Sequence, residues 1–541
     1  DRQALPKAEL TSKTPYRAPR NELETLIAEI WKEILGIPRL SIDDDFFSLG
    51  GHSILAMQVT HRLSQTLQRE LTVATLFQHR SIAQLSSALE KSTSLTAITP
   101  DAQLKAPLSH AQERLFFIEN YEKGALAYHI PMAYTLGQTL DIDALKKAFQ
   151  ALVERHAVLR TTFTVSNQGK NLQVIQNKPL NIQECLLKES DIPKALTKEA
   201  KTPFDLSKDY PIRVIIYQSL DTKARFLLIN VHHIAFDAWS RPIFYRELTS
   251  FYQAIHDGKP IEMDALPIQY KDFALWQRHA LSTNTPDLIY YWQNKLAGFS
   301  PLAFPTDHPR PPEFNPQAEN LQFDFPPELA IKLRTLAREQ GLSLYTVLLT
   351  AFALTLSHYT GQTDLLIGTP LANRQHPDLK NLIGFFVNTL ALRLQLNLEL
   401  SLKEQLQHFQ KELIEVQDKQ DLPFEKLIQA LNIERDKTRH PLVQLMFILQ
   451  YDEEDDLKTL DINPLPLREK QSLAKFDLTL SIHVSSFNMH LNLQYATALF
   501  EEESMKRFQE HLEYTLKNFV DKPIESLIKT YPSLTPKEYQ T

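Results

Sequence analysis

Cysteine is almost missing from this chain of 541 residues, which has one, Cys185. A single cysteine excludes an intramolecular disulfide and a cysteine metal cluster, and it is compatible with the reducing cytoplasm, where we expect the protein. No signal-peptide pattern opens the sequence. Long apolar runs are missing too, because the longest, residues 344–356, is interrupted by Thr346, Thr350 and Thr355. This segment is predicted to be a core helix rather than a membrane span.

Strong charge of one sign is also missing. The 58 Lys and Arg against 65 Asp and Glu leave a formal net charge of -7. This balance gives no reason to expect nucleic acid or an anionic membrane as a partner. Glycine is scarce at 12 residues, so each glycine is expected to stand where the backbone conformation requires it. The length and the ordinary globular composition predict roughly two to four domains.

The N-terminal part of the chain, residues 21–91, is predicted to be a small helical bundle. Its first helix shows the apolar spacing of one helix face, with Asn21 in the N-cap position. A short apolar turn around Leu76 precedes the last helix. The predicted helices are 21–35, 53–67 and 82–89.

Two segments without helical periodicity border this bundle. Residues 1–20 are rich in charge and contain three prolines, and residues 92–105 are rich in Ser, Thr and Pro. Both are predicted to be linkers. From residue 106 onward strand-like runs alternate with helices over a length too great for one core, which predicts two lobes, 106–276 and 277–541. The predicted strands lie near 224–231, 365–368, 390–396, 445–450, 476–484 and 490–496.

Two of the scarce glycines stand together in Leu49-Gly50-Gly51-His52-Ser53, at the start of a predicted helix. Adjacent glycines allow a sharp backbone turn. Free N–H groups and the helix dipole at a helix start favour a phosphate, so a phosphodiester on Ser53 is chemically sensible. The alternative is that Ser53 is only an N-cap, which explains most serines in such places.

A second polar cluster follows the apolar run 224–231 and consists of His232, His233 and Asp237. The run is predicted to be a buried strand. Because alternate residues of a strand face opposite sides, one imidazole should point into a cleft and the other into the protein. An imidazole accepts or holds a proton near neutral pH, and the carboxylate is close enough to brace the turn. The alternative is a pair of satisfied polar residues at a strand end.

Residues 21–90 resemble a peptidyl carrier domain of a nonribosomal peptide synthetase. The match is the motif from Asp44 to Ser53, placed between two helices. The resemblance implies that Ser53 carries a 4′-phosphopantetheine arm, added by a separate phosphopantetheinyl transferase, whose thiol holds an aminoacyl or peptidyl thioester. Residues 1–6 resemble the tail of an adenylation domain, which implies that residues 1–20 are the linker from an upstream adenylation domain.

Residues 106–535 resemble the condensation domain of the same synthetases, through motifs that occur in the family's order: 109–116, 155–163, 232–240, 270–276, 383–389, 420–425 and 435–442. The resemblance implies an α+β multidomain protein, a four-helix carrier followed by two chloramphenicol-acetyltransferase-like lobes in a V. The implied reaction is peptide-bond formation by attack of an acceptor amine on the donor thioester. Downstream adenylation and carrier domains are then further partners. A monomer is expected, without nucleic acid, membrane or metal.

The same resemblance assigns roles within the polar cluster. His233 is expected to face the tunnel between the lobes, where it takes a proton from the amine or holds it. His232 and Asp237 complete the site and are expected to act structurally. Arg374 is the candidate ion-pair partner of Asp237, the alternative being a solvated surface arginine. Ala238 stands where the family usually has glycine, and a positive φ there would make its methyl group costly by roughly 1 kcal/mol.

Subtype and docking also follow from the resemblance. Residues 109–116 and 155–163 resemble condensation domains that accept an L-configured donor. A catalytically silent platform that recruits carriers or tailoring enzymes is the competing interpretation, and Ala238 keeps it open. A stand-alone acetyltransferase using coenzyme A is disfavoured, because a free acyl donor needs no tethered arm. The carrier is expected to dock through the helix starting at Ser53, with Met57 against the condensation domain and no large fixed interface.

Overall fold

The computed structural model describes residues 15–51, 53–121, 126–433, 436–451, 456–467, 472–485 and 488–538. The adenylation-like motif at residues 1–6 and His52 lie outside these described residues. The chain forms a helical bundle followed by two lobes, each with its own hydrophobic core. The expected α+β architecture is confirmed.

The bundle contains α1 (Glu22–Leu35), α2 (Ser53–Leu67), α3 (Val73–Gln78) and α4 (Ile82–Glu90). Asn21 is the N-cap of α1 and accepts the backbone N–H of Glu24, as expected. Gly36 ends α1 in the left-handed region, with a φ of 68°. The rings of Trp31 and Phe46 meet edge to face in the core, with centroids 4.9 Å apart. The helices predicted for this part of the chain are therefore present.

The segment predicted to be a linker, residues 92–105, is held at several points. The Leu95 N–H donates to the Gln68 carbonyl of the bundle at 3.0 Å. Ile98 is buried in the core of the N-terminal lobe. The Asp101 N–H donates to the Asp272 carboxylate at 3.0 Å. These contacts attach the linker to both the bundle and the lobe.

The N-terminal lobe is built on a central strand that carries the two histidines at its end. Its strands are β1 (Lys105–Pro107), β2 (His129–Leu136), β3 (Thr161–Val165), β4 (Asn171–Ile175), β5 (Ile182–Leu187), β6 (Ile212–Ser219) and β7 (Arg225–His232). Its helices are α5 (His110–Tyr121), α6 (Ile142–Arg155), α7 (Ile192–Ala200) and α8 (Ser240–His256). Strand β7 lies between β2 and β6 and is antiparallel to both, so most of it is buried. Strands β1, β4 and β3 form a separate small sheet.

Helix α9 (Tyr270–Lys295) leads into the C-terminal lobe. The strands that follow are β8 (Gln317–Asp324), β9 (Asp364–Leu371), β10 (Asn388–Gln395), β11 (Leu445–Tyr451), β12 (Ile462–Pro464), β13 (Ser472–Leu473), β14 (Leu478–Val484) and β15 (Met489–Ala496). The helices are α10 (Pro327–Glu339), α11 (Leu344–Thr360), α12 (Leu402–Asp418), α13 (Phe424–Leu431) and α14 (Glu502–Asp521). All but β12 of these strands form one sheet, in the order β10-β9-β11-β14-β15-β8-β13. The strands predicted from the sequence overlap β7, β9, β10, β11, β14 and β15.

Parts of the C-terminal half cross into the N-terminal lobe. Strand β12 pairs with β2 at the edge of the N-terminal sheet, and Leu379 and Leu382 pack in the N-terminal core. The lobe boundary expected at 276/277 falls inside α9, whose Phe273 belongs to the N-terminal core and whose Trp292 belongs to the C-terminal core. The two lobes are therefore joined by several chain segments.

No helix in the described ranges is long and apolar enough to cross a membrane by itself. The pair α10 and α11 meets the length and composition test together but is bent by 111°. Helix α11 is buried in the C-terminal core over residues 346–357, as expected for a core helix.

Candidate active site

His232, the last residue of β7, points into the N-terminal lobe. It is fully buried, and its Nδ1 accepts the Ile234 N–H at 3.0 Å. Its Nε2 lies 3.5 Å from a carboxylate oxygen of Glu119. Its ring packs edge to face against those of His129 and Phe204. Burial lowers the pKa of His232, although Glu119 raises it.

His233 is partly exposed and lies between aromatic rings at the interlobe cleft. Its Nδ1–H donates to the Phe236 carbonyl at 3.0 Å, and this bond determines the tautomer of the ring. Nε2 is then left with a lone pair. The ring centroids of Tyr128 and Phe385 lie 6.5 and 5.8 Å away. Burial and then the charge of Lys475 hold the pKa of His233 well below 6.5, so the imidazole is neutral at pH 7.

The structure brings Asp237 and Arg374 together as an ion pair. The Arg374 guanidinium donates to both carboxylate oxygens of Asp237, at 3.0 and 3.2 Å. The carboxylate also accepts the N–H and the hydroxyl of Ser240 at 2.9 and 2.7 Å, and the Phe386 N–H at 3.1 Å. Asp237 is 1% and Arg374 2% exposed. With all these bonds made, the carboxylate braces the loop and has no free oxygen for a substrate.

Arg374 also holds the segment that crosses into the N-terminal lobe. Its guanidinium donates to the carbonyls of Leu379 and Leu382 at 2.7 and 2.5 Å and lies 4.0 Å from the Phe386 ring centroid. Burial lowers the pKa of Arg374, and the charge of Asp237 opposes this shift. A Cβ at Gly384 would lie 2.1 Å from the Tyr270 ring, so only glycine fits there. The motif at 383–389 thus packs directly behind the histidine loop.

Lys475 is a cation that the sequence did not single out, and it lies close enough to His233 to lower the pKa of that imidazole. The Lys475 Nζ lies 4.2 Å from the Tyr128 ring centroid, and burial lowers the pKa of Lys475 to about 7. The Arg114 guanidinium donates a hydrogen bond to Nε2 of His440 at 3.1 Å and forms an ion pair with Glu425 at 3.4 Å. No spacing in the chain relates Lys475 to the histidines, so sequence patterns gave no signal for it.

A cavity of about 810 Å³ adjoins this loop and is lined by the bundle and both lobes. Met57 of α2, Ala238 of the histidine loop and Tyr451 of β11 all contribute to its wall. Ala238 is exposed, and it is not among the described residues with positive φ. The backbone cost considered for alanine at this position therefore does not arise, and the methyl group faces a cavity.

The bundle packs beside this site through α2 and α3. His61 of α2 is buried, and its Nε2 lies 2.5 Å from the backbone carbonyl oxygen of Arg374. Burial lowers the pKa of His61 to about 4, and its Nδ1 has no hydrogen-bond partner within the described part of the chain. Ile414 of α12 packs against the bundle core. The bundle thus contacts the same residue that braces Asp237.

The residues before Ser53 allow a close approach to the start of α2. Gly50 has a φ of 95°, and a Cβ at Gly51 would lie 2.3 Å from the Phe46 ring. Helix α2 begins at Ser53, and the backbone N–H groups at a helix start can donate to a phosphate. This arrangement fits the attachment of a phosphodiester.

Comparison with known families identifies both parts of the chain. Residues 25–89 match the phosphopantetheine attachment site, and residues 102–541 match the condensation domain. The chain therefore belongs to the condensation-domain family, with a phosphopantetheine attachment domain in front. The predicted order of a carrier domain and a condensation domain is confirmed, and 4′-phosphopantetheine is the prosthetic group of the first domain.

Relatives are found among peptide synthetases. The chain is 36% identical to tyrocidine synthase 3 of Brevibacillus parabrevis over 534 residues, which cover 97% of this chain and 8% of the relative. It is 35% identical to gramicidin S synthase 2 of Brevibacillus brevis, over 97% of this chain and 12% of the relative. The chain thus spans about a tenth of these relatives' length. The X-domain in complex with OxyB from teicoplanin biosynthesis shares the fold, with a TM-score of 0.71, 24% identity, and coverage of 81% and 98% of the two chains.

Proposed function

We propose that this chain forms peptide bonds in nonribosomal peptide synthesis, with the donor presented from Ser53. The observation that carries the proposal is the geometry of His233, whose Nδ1–H donates to the Phe236 carbonyl and so leaves Nε2 as the acceptor nitrogen of the ring. When attached, 4′-phosphopantetheine supplies the thiol that holds the donor as a thioester. The second substrate is the amine of an acceptor on a downstream carrier.

In this reaction the amine nitrogen bonds to the thioester carbonyl carbon, the C–S bond breaks, and the amine proton ends on the thiol. Nε2 of His233 accepts a hydrogen bond from the amine, which directs the nitrogen lone pair toward the carbonyl carbon. The low pKa of His233 keeps the ring neutral and able to accept, but it also makes the ring a weak base. Positioning of the amine is therefore the larger part of the proposed role.

His232, Asp237 and Arg374 are proposed to hold His233 in place without touching the substrates. Their burial, the Ile234 N–H held by His232 and the ion pair between Asp237 and Arg374 support this division of labour. The Phe236 carbonyl, which determines the His233 tautomer, belongs to the residue just before Asp237. Any shift of Asp237 and its hydrogen-bond network would therefore move this carbonyl.

The carrier is proposed to deliver the donor from the side where it packs in the structure. The lining of the cavity by Met57 and the His61 contact support this placement. A phosphopantetheinyl transferase, an upstream adenylation domain, and downstream adenylation and carrier domains are the proposed partners. An L-configured donor, a monomeric state and a cytoplasmic location belong to the same proposal.

The test is transfer of an acyl group from loaded Ser53 to an aminoacyl group on a separate acceptor carrier, followed by intact mass. Wild-type protein should transfer, and His233→Ala should be slower by about 10²-fold, as expected when a reacting group is misplaced. His308→Ala removes an imidazole that is 47% exposed and should keep the wild-type rate. An unchanged rate in His233→Ala contradicts the role of this residue. No transfer by the wild-type protein would favour the competing function, a silent recruitment platform.

A further inference from the structure

Lys475 extends from the C-terminal lobe toward the N-terminal lobe at the level of His233. It lies between β13 and β14, and both of its neighbours in the chain are buried. The N–H of Ala474 donates to the Pro316 carbonyl at 2.8 Å, and the N–H of Asp477 donates to the Gln444 carbonyl at 3.0 Å. The backbone that carries Lys475 is therefore fixed, and its Nζ contacts the ring of Tyr128 from the other lobe.

This ammonium group has no carboxylate within 4 Å in the described part of the chain. Asp477, two residues along, is occupied by both terminal nitrogens of Arg310, at 3.0 and 2.5 Å. The charge of another cation, Arg114, lowers the pKa of Lys475 further. Arg114 is itself paired with Glu425. An unpaired cation in a partly desolvated cleft is costly, and a contact with an aromatic face offsets only part of this cost.

Lys475 and His233 face the same part of the cleft. The Tyr128 ring that contacts Nζ stands nearly perpendicular to the His233 ring, at 81° and 6.5 Å between centroids. After burial, the charge of Lys475 is the strongest influence on the pKa of His233. An acyl group held between the lobes would thus have a neutral acceptor on one side and, on the other, a cation that pairs with no carboxylate of the described residues.

We propose that Lys475 binds the carbonyl oxygen of the donor thioester and stabilises the negative charge that develops there during acyl transfer. The inference rests on the proposed function. As the amine nitrogen bonds to the carbonyl carbon, the carbonyl π electrons move to the oxygen beside Nζ. They return as the C–S bond breaks, and the amine proton passes by way of His233 to the sulfur. The protonated form of Lys475 makes this contact and takes no part in the proton transfer, and the electrostatic contribution of such a fixed donor is large in a water-poor site. Because burial lowers the pKa of Lys475 to about 7, this form is lost as the pH rises through 7.

The kinetic test compares Lys475→Met with Lys475→Arg in single-turnover acyl transfer from loaded Ser53. The methionine variant should be slower by about 100-fold, as expected when one donor to a developing oxyanion is lost. The arginine variant should recover part of the rate because it restores the charge. Lys332→Met, which removes a lysine that is 57% exposed, is the matched control. A wild-type rate in Lys475→Met would overturn the inference.

A binding test separates this inference from the proposed function. A soluble phosphonamidate anion with the shape of the addition species and its neutral amide counterpart are titrated into the protein by calorimetry. Wild type should prefer the anion at least tenfold, Lys475→Met should lose this preference, and His233→Ala should keep it. If wild type forms no peptide but the preference depends on Lys475, the proposed function fails and the cation site stands. If peptide forms while no preference exists, the assignment of Lys475 fails alone.

Discussion

Removing the guanidinium of Arg374 should destabilise the loop that carries His233. Arg374→Met keeps much of the side-chain volume but removes the charge and the bonds to two backbone carbonyls. It leaves the Asp237 carboxylate, 1% exposed, without a cation, and an uncompensated buried charge costs about 3–5 kcal/mol. Because Ser240 and the Phe386 N–H still donate to this carboxylate, the lower end of that range is expected.

The matched double variant, Asp237→Asn with Arg374→Met, removes the charge from both sides. The asparagine still accepts from Ser240 through its amide oxygen, and neither side chain remains charged and unpaired. The double variant should therefore be more stable than Arg374→Met alone, and the coupling energy between the two substitutions should be about 0.5–3 kcal/mol. A simple loss of packing would give the opposite order.

Hydrogen exchange followed by mass spectrometry is the suitable assay, since a chain with several cores does not unfold in one step. Exchange of residues 233–240 and 374–386 in increasing urea gives the local free energy of opening. Arg17→Met breaks an ion pair with Asp43 in which the side chains are 55% and 36% exposed, and it should cost only about 0–1 kcal/mol. Local opening in Arg374→Met within about 0.5 kcal/mol of wild type, or a double variant less stable than this single one, would refute the reasoning.

Further outcomes concern the carrier and the two histidines. Ser53→Ala should block the mass increase produced by a phosphopantetheinyl transferase and coenzyme A, and a remaining increase would mean another attachment site. His232→Ala should lower the local free energy of opening of residues 233–240 by roughly 1–3 kcal/mol, whereas His233→Ala should keep it near the wild-type value and lose turnover. The pKa of His61 is about 4 when docked and near 6.5 when free, so docking should be strongest above pH 6.5 and weaken as the pH falls toward 4. Fluorescence energy transfer between carrier and lobe measures this, and His61→Gln should remove the pH dependence. Met57→Arg should slow donor delivery but leave reaction of a soluble aminoacyl thioester unchanged, and failure of both would contradict the docking placement.

Local order in this protein follows from neighbouring residues in the chain. The cap at Asn21, the glycine at position 36 and the spacing of apolar residues are sufficient for α1 because each acts within a turn or two of the helix. The apolar run before the histidines predicted β7 for the same reason. The helix start at Ser53 was also readable, since two adjacent glycines and a serine act locally.

The ion pair between Asp237 and Arg374 joins residues 137 positions apart. Arg374 was predicted as the partner of Asp237 from the resemblance to a family and not from any spacing in the chain. The contact itself requires residues 377–386 to cross into the N-terminal lobe, which depends on the packing of Leu379 and Leu382 there. The two residues were predicted from the sequence, whereas their contact depends on the tertiary structure.

Lys475 and His61 show what only the tertiary structure decided. Lys475 reaches Tyr128 because the turn between β13 and β14 is held at the interlobe cleft. His61 is an ordinary helix residue in the sequence, and it is buried because α2 packs against the Arg374 carbonyl. Pattern rules describe contacts within a few residues, whereas the charge, burial and pKa of these groups depend on which distant surfaces come together.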